Sequence, residues 1–305
     1  MSYFSIYNKL ILIEYNLNIN IMSQNSSICI YSSQLATIIG KNPYNKITDI
    51  IVEMWQRYYP LDFNNTIKEI EKKKNVKFEK EETDLQKIKR IAKENNIDIK
   101  QDLKNCLKTE TVNKLLTERK DLVKKIGKNK EEFKKALTNL SNTNFGTKHE
   151  SSAMNIYCQQ TSNKVNTPNT FFRKKIAEHN DTNWYIGGKI DGITEDNTLV
   201  EIKNRIYRLF FRLREYEKIQ LYSYMFLCDT KKGHLVECSK KDTSKINIIE
   251  EEFDDEYWQS IKKPLRNFIR LFHHFLEDVN LKTMVLFEDI EKVEPMFMRI
   301  VSGSE

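Results

Sequence analysis

The sequence lacks a long apolar run, and this absence excludes a helical membrane protein. No stretch of its 305 residues approaches the roughly 20 consecutive apolar residues that a transmembrane helix requires. The opening segment has short apolar stretches, but Glu14 and several asparagines interrupt it, and neither a basic leader nor a small-residue cleavage site follows. We therefore predict neither a membrane span nor a signal peptide.

Paired cysteines and a large excess of one charge are also missing. The five cysteines are widely scattered, without a CxxC pair or a Cys/His spacing suited to zinc, which indicates reduced thiols inside a cell. We therefore predict an intracellular protein, cytoplasmic or nuclear. The net charge of +7, from 50 basic and 43 acidic residues, is compatible with nucleic-acid binding but does not require it.

Composition divides the chain into an N-terminal extension, a main domain with a charged insertion, and a C-terminal tail. The insertion is dense in lysine and glutamate, has no proline, and carries Leu85, Ile88 and Ile91 at three-residue steps. We predict that it is helical, partly coiled or mobile, with a solvated charged face. The predicted boundaries are 1–27 for the extension, with Met22 as a candidate true start, 28–65 and 141–280 for the main domain, 66–140 for the insertion, and 281–305 for the tail.

Apolar periodicity predicts helices before, between and after several strands. Residues 28–59 are interpreted as a helical unit, with Ser33 as a candidate cap and a second helix from Ile47 to Tyr58. The other predicted elements are helices over 143–160, capped near Asn142 or Thr143, over 215–227 and over 254–279, and strands near 170–172, 184–193, 198–203, 233–239 and 245–252. This order predicts an α/β fold with a mixed β-sheet flanked by helices.

The segment 186–205, IGGKIDGITEDNTLVEIKNR, places two carboxylates and a lysine in an apolar β-hairpin. Because side chains alternate along a strand, Glu201 and Lys203 point to one face and the intervening aliphatic residues to the other. Asp191, on the partner strand, lies across from this region. A solvated face of an antiparallel hairpin explains this alternation as well as a functional site does. Other parts of the sequence are needed to distinguish these two interpretations.

Four ordered motifs favour the functional site through a family resemblance. The segments YSSQLATIIGKNPY, FGTKHE, GGKIDGITEDNTLVEIKN and KIQLYSYMF resemble, in this order, the lambda-exonuclease-like, or YqaJ-type viral recombinase, branch of the PD-(D/E)XK nuclease superfamily. The likeness covers residues 28–60 and 140–280, and it implies a restriction-endonuclease-like core and a viral origin. The residue before Asp191 is Ile190, where the superfamily name has proline.

The resemblance implies hydrolysis of DNA with Mg²⁺ as cofactor and Mn²⁺ as a substitute. Asp191, Glu201, the carbonyl of Ile202 and Glu150 would be the metal ligands and, with Lys203, the catalytic set. Hard oxygen ligands of this kind suit Mg²⁺. By the same resemblance, Lys203 orients or polarises the attacking water and stabilises developing negative charge.

The resemblance also implies residues that bind the substrate. Ser33 takes the position of a serine that holds a terminal 5′-phosphate, although the sequence shows no equally clear arginine beside it. Gln220 and Tyr224 lie four residues apart on one helical face and are expected to touch the site or the DNA backbone.

A basic stretch, 202–218, follows the hairpin, and in it Arg205 and Arg208 are interleaved with aromatic residues. Such an arrangement suits phosphate contacts together with base or sugar stacking. A solvated helix face with an aromatic core side is the alternative. The position of the basic stretch directly after Lys203 favours DNA binding over this alternative.

Together these features lead us to expect a 5′-to-3′ exonuclease that resects double-stranded DNA ends for recombination, repair or replication, with the polarity implied by resemblance alone. The implied partners are double-stranded DNA ends, a single-strand annealing protein and further copies of the chain. Two alternatives stay open: a structure-specific or other endonuclease on the same fold, and a nonenzymatic DNA-end-binding recombination scaffold. Intact Asp191, Glu201 and Lys203 argue against the scaffold, because a degenerate site usually loses one of them.

Overall fold

The computed structural model describes residues 26–78, 82–239, 245–287 and 290–303, with residue 290 through its backbone alone. Almost all of the predicted N-terminal extension, including the candidate start Met22, lies outside the described residues. Within the described ranges, every helix is too short or too polar to cross a membrane.

Helices surround two groups of strands in the described part of the chain. The helices are α1 Leu35–Ile38, directly after a 3₁₀ turn over Ser32–Gln34, α2 Ile47–Tyr58, α3 Pro60–Lys74, α4 Asp84–Glu94, α5 Lys100–Lys108, α6 Val112–Lys125, α7 Lys130–Lys148, α8 Glu150–Thr161, α9 Glu215–Cys228, α10 Asp255–Glu277, α11 Val279–Phe287 and α12 Ile290–Ser302. The strands are β1 Ser26–Tyr31, β2 Val165–Asn166, β3 Phe172–His179, β4 Thr182–Gly188, β5 Gly192–Thr194, β6 Thr198–Arg205, β7 Lys232–Ser239 and β8 Ile246–Glu252. The predicted α/β fold with mixed sheets flanked by helices is confirmed.

The strands form two mixed sheets. The first has the order β1-β4-β3, with β1 parallel and β3 antiparallel to β4. The second has the order β2-β5-β6-β7-β8, in which only β6 and β7 are parallel. The predicted strand near 184–193 is therefore two strands, and the chain passes from the first sheet to the second between Gly188 and Gly192. Asp191 lies in this crossing, just before β5.

Strand β6 lies between β5 and β7, and its two faces pack against different helices. Val200 and Ile202 are buried with Ala153 and Tyr157 of α8. Leu199 belongs to the main core, together with residues of α9 and α10. The predicted alternation of side chains along this strand is confirmed, and it leaves Glu201 and Lys203 on the face that α9 covers.

The charged segment is helical, as predicted, but it packs around a hydrophobic core of its own. Ile88 and Ile91 are fully buried, whereas Leu85 is 37% exposed. The core is formed by residues of α4 to α7 together with Ile206, which follows β6. The predicted boundary at 140 falls inside α7, so a single helix leads from this bundle to the main domain.

The sequence-based reading was wrong at two other helix starts. Residues 28–31 belong to strand β1, because Ile28 and Ile30 alternate with less buried residues and pair with β4. Ser33 lies inside the 3₁₀ turn and is not a cap. Residues 142 and 143 lie inside α7, and a new helix, α8, begins at Glu150. The helix predicted from Ile47 to Tyr58 is confirmed.

Candidate active site

A line of hydrogen bonds joins β6 to α9 at the predicted site. Glu201 is only 5% exposed, and Lys203 Nζ donates a hydrogen bond of 2.7 Å to its Oε1. The same ammonium donates to Gln220 Oε1 at 3.2 Å. Gln220 Nε2 in turn donates to the Tyr224 hydroxyl at 3.1 Å. The structure thus brings these four predicted residues into one connected group.

Asp191 joins this group from the crossing that precedes β5. Its Oδ2 accepts a hydrogen bond of 2.7 Å from the backbone N–H of Ile202. Asp191 also interacts with Glu201, and the positive charge of Lys203 acts on both carboxyl groups. The antiparallel register of β5 and β6 pairs Gly192 with Val200, which places the preceding aspartate across from Glu201.

The buried carboxyl groups resist ionisation. Burial raises the pKa of Glu201 to about 7, with the positive charge of Lys203 opposing the shift and Asp191 adding to it. Burial also raises the pKa of Asp191 against the opposing hydrogen bond from Ile202. Burial alone would lower the pKa of Lys203, but the neighbouring carboxylates, Glu201 first, raise it overall. The group therefore contains two carboxyl groups, Asp191 and Glu201, and only one ammonium group to neutralise them.

Glu150 approaches the group from the first position of α8. Burial and the nearby negative charge of Glu201 raise its pKa, so the carboxyl groups interact electrostatically. The described residues contain no group of three His, Cys, Asp or Glu side chains arranged as a metal centre. The adjacent pair, Asp191 and Glu201, nevertheless fits Mg²⁺ in its chemistry, because this ion commonly takes one or two carboxylates and keeps several waters.

The turn that carries Ser33 lies beside α9 at the end of β4. A Cβ atom on Gly188 would lie 2.6 Å from Tyr224 Cε1 and 3.2 Å from Ser32 Oγ, so this close approach requires a glycine. Ser32 is buried and donates a hydrogen bond of 3.3 Å to the Gly187 carbonyl. Ser33 is exposed on the same turn.

An arginine that the sequence did not reveal lies near this turn. The guanidinium of Arg57, on α2, lies 4.3 Å from the centre of the Tyr31 ring. It pairs with Glu53, which also accepts a hydrogen bond of 2.9 Å from Gln34 of the turn. Sequence reasoning missed Arg57 because it lies on a different element from Ser33, and only the packing of α2 against the strand brings the two segments together.

The two predicted arginines occupy different environments. The Arg205 side chain is almost fully buried, and it pairs with Glu217 at 2.9 Å and with Glu237 at 2.8 Å. This placement suits a structural ion pair better than a direct DNA contact. Arg208 is exposed, and its guanidinium lies 5.5 Å from the centre of the Phe210 ring.

Glu217 and Glu237 were not recognised from the sequence, although a signal was present. Glu237 is an acidic residue within a mainly apolar strand, Glu217 lies in the first turn of α9, and both are buried. The paired arginines Arg205 and Arg214 keep the pKa of Glu217 below its ordinary value, although burial opposes the shift. An isolated acid in an apolar strand predicts a buried partner.

A few solved structures resemble parts of this chain. One is an alkaline exonuclease (LHK-Exo) from Laribacter hongkongensis, with 14% identity and a TM-score of 0.38 over 58% of this chain and 89% of that chain. LHK-Exo in complex with dAMP gives 14% identity and a TM-score of 0.37 over 58% and 87% of the two chains. The structure of SSO0001 gives 19% identity and a TM-score of 0.34 over 61% and 84%. No curated protein matches the chain.

A protein-family model matches the part of the chain that contains the candidate site. The match covers residues 98–245 and is described as the YqaJ-like viral recombinase domain. It begins inside the charged helical bundle and includes every site residue from Glu150 to Glu237, but not Ser33. The predicted resemblance to this family is confirmed over residues 98–245, which are similar to the YqaJ-like viral recombinase domain.

Proposed function

We propose that this chain is a divalent-metal-dependent DNA nuclease with its active site on the β5–β6 hairpin. The observation that carries the proposal is the buried group in which Lys203 Nζ lies 2.7 Å from Glu201 Oε1, while Asp191 contacts the same strand. A partly buried lysine paired with a buried carboxylate is a costly arrangement. Its position inside a YqaJ-like domain supports a catalytic role over a structural one.

The oxygens of Asp191, Glu201 and the Ile202 carbonyl would hold the metal, Mg²⁺ or Mn²⁺, and Glu150 would add negative charge nearby. The bound ion would neutralise charge on the phosphate and lower the pKa of a water molecule. This donor set consists of hard oxygens, as these ions prefer.

The protein's own groups would position the reaction. Lys203 would donate a hydrogen bond to the attacking water or to a phosphoryl oxygen, and so stabilise the negative charge that develops there. Gln220 fixes the ammonium, and Tyr224 fixes Gln220, through the contacts of 3.2 and 3.1 Å. Held in this way, the ammonium needs little reorientation during the reaction.

We further propose that the substrate is the 5′ end of a double-stranded DNA. The exposed Ser33 and the guanidinium of Arg57, which lies against Tyr31 directly before the same turn, provide a hydroxyl and a positive charge, which suits a terminal phosphate. Such a site would favour ends over internal phosphodiesters and would give 5′-to-3′ polarity. Resection of this kind would serve recombination or repair.

Digestion of a 5′-labelled linear duplex and of a closed circle, each with and without Mg²⁺, tests the proposal. We expect early release of the label from the linear duplex, an intact circle, and no reaction without the metal. Cutting of the circle would favour an endonuclease. Binding without any cleavage would favour a nonenzymatic scaffold and would contradict the proposal.

A further inference from the structure

The loop between β6 and α9, residues 206–214, exposes aromatic side chains next to the candidate active site. Phe211 is 70% exposed and Tyr207 is 57% exposed. The loop begins three residues after Lys203 in the chain, and α9, which begins directly after it, carries Gln220. Large aromatic side chains are usually buried, so these two require an explanation.

The backbone of the loop is held in a disfavoured conformation by a buried carboxylate. Phe211 has a φ of 56°, a region that bulky residues rarely adopt. Glu237 is fully buried and accepts hydrogen bonds from the backbone N–H groups of Phe210, at 3.1 Å, and of Phe211, at 2.9 Å. It also accepts from Arg205 Nε at 2.8 Å. The surrounding structure thus fixes the backbone from which the Phe211 ring projects.

The other end of the loop is anchored on the helical bundle. Ile206 is buried in the core of that bundle. Tyr207 lies close enough to interact electrostatically with Arg119, which is itself buried and donates to Ser141 at 2.7 Å. The bundle and the sheet therefore hold the loop between them, so the exposed rings are presented from a rigid base.

Cationic side chains flank the exposed ring in the chain. Arg208 and Arg212 are exposed on either side of Phe211 in the chain. Arg214 lies with its guanidinium 4.2 Å from the centre of the neighbouring Phe210 ring. An exposed aromatic face between cationic side chains is complementary to a nucleic-acid strand, whose phosphates pair with the cations while a base stacks on the ring.

We propose that Phe211 stacks on an unpaired base of the DNA strand bound at the active site, and that Glu237 is the positioning residue that presents the ring. This inference rests on the proposed nuclease function and adds to it a contact with a single-stranded base. Bases inside a duplex are already stacked on both faces, so the ring can accept only an unpaired or terminal base. Stacking of this kind is tolerant of sequence.

Fluorescence anisotropy with the full chain in EDTA tests the contact, using a labelled duplex with a single-stranded overhang. Phe211→Asn removes the ring but tolerates the positive φ, and we expect its Kd to rise about tenfold. Phe211→Tyr keeps a ring, and Leu61→Ala removes an exposed apolar side chain on α3; both should bind like the wild type. Unchanged binding by Phe211→Asn would overturn the proposal.

An abasic-site scan of the overhang identifies the stacked base. At one position, removal of the base should weaken wild-type binding and leave Phe211→Asn binding unchanged, because the ring and the base act together. Equal weakening of both proteins at every position would also overturn the proposal. DNA hydrolysis by the wild type is measured separately, so a failure of the nuclease function is distinguishable from a failure of this contact.

Glu237→Gln tests the positioning role. The variant keeps the shape but loses the charge that accepts the loop N–H groups, so we expect a raised KM for DNA with a smaller change in kcat. Combined with Phe211→Asn, it should add no further loss of binding. Additive losses would overturn the positioning role. If Glu237→Gln does not fold, Glu237→Asp takes its place, because it retains the charge on a shorter side chain. We expect its KM to lie between those of the wild type and Phe211→Asn. A wild-type KM for Glu237→Asp would overturn the positioning role.

Discussion

At the scale of single residues, the site is a set of carboxyl groups whose pKa values are raised mainly by burial and in part by neighbouring negative charge. Glu150 interacts with Glu201 by charge, and burial raises the pKa of both groups. Removal of one charge therefore weakens the attraction for a cation. Each carboxylate can be tested individually, because its charge can be removed while the shape of the side chain is kept.

Glu150→Gln should raise the Mg²⁺ concentration needed for half-maximal DNA cleavage, because one negative charge near the metal is lost. The measurement is a metal titration of cleavage. Glu195→Gln is the matched control, since Glu195 is an exposed carboxylate in the turn between β5 and β6. If both variants titrate like the wild type, Glu150 has a structural role.

His273 predicts a pH dependence of stability. Trp184 Nε1 donates to His273 Nε2 at 3.2 Å, which requires the nitrogen to be unprotonated. Burial, followed by the effect of His179, lowers the pKa of His273 from 6.5 to about 4. Below pH 6.5 the unfolded chain binds the proton more readily, so the stabilisation is fully present above this pH and is lost as the pH falls towards 4.

His273→Gln removes this titration. The free energy of unfolding of the wild type, relative to the variant, should fall by about 1–2 kcal/mol between pH 7 and pH 4, a figure reduced for the partial exposure of the ring. Urea unfolding at several pH values measures the difference. Parallel pH profiles of the two proteins would contradict the prediction.

At the scale of elements, the charged bundle is a folded unit and not a solvated arm. Ile88→Ala should lower the free energy of unfolding by about 2–5 kcal/mol, because it opens a cavity in the bundle core. Leu85→Ala, three residues earlier on α4, removes a partly exposed side chain and should cost less than about 1 kcal/mol. Thermal unfolding compares the two variants. Equal effects would show that the bundle core is not closely packed.

Replacement of residues 66–140 by a short Gly/Ser linker tests how the bundle supports the site. If the segment were only a solvated charged arm, as the charge pattern suggests, a folded and active domain would remain. The packing predicts the opposite, because the replacement removes the core partners of Phe145 and Ile206 and cuts α7. We expect a lower Tm and reduced cleavage of a linear duplex. A replacement with wild-type Tm and activity would restore the interpretation as a peripheral arm.

Elements with a strong local pattern were predicted, whereas those defined by distant pairing were not. The helix Ile47–Tyr58 and the hairpin containing Glu201 follow from short-range periodicity. Strand β1 was read as helix because its pairing partner, β4, lies far away in the chain. The break before α8 was missed because its start depends on packing against β6 and not on a cap signal.

At the scale of the whole molecule, the site combines segments that are remote in sequence. The motif on the hairpin predicted Asp191, Glu201 and Lys203, and the structure brings them together. Arg57 was beyond prediction, because its relation to the site depends on how α2 packs. The strand pattern signalled a buried acid at Glu237, but its partners depend on how β7 packs. Whether these residues act on DNA remains a prediction.

The most direct test is single-turnover cleavage of a linear DNA duplex by the wild type and by Lys203→Ala, with and without Mg²⁺. Asp191→Ala and Glu201→Ala extend the test, and Lys232→Ala, an exposed lysine at the start of the neighbouring strand, is the control. Lys203→Ala should still fold, because Glu201, with its pKa of about 7, can take up a proton once its partner is gone.

We expect Mg²⁺-dependent cleavage by the wild type and by Lys232→Ala. The rate should be about 10² to 10³ lower for Lys203→Ala and lower still for Asp191→Ala and Glu201→Ala, whereas DNA binding by all three should be largely unchanged. Cleavage at the wild-type rate by any of the three site variants would contradict the assignment of the active site.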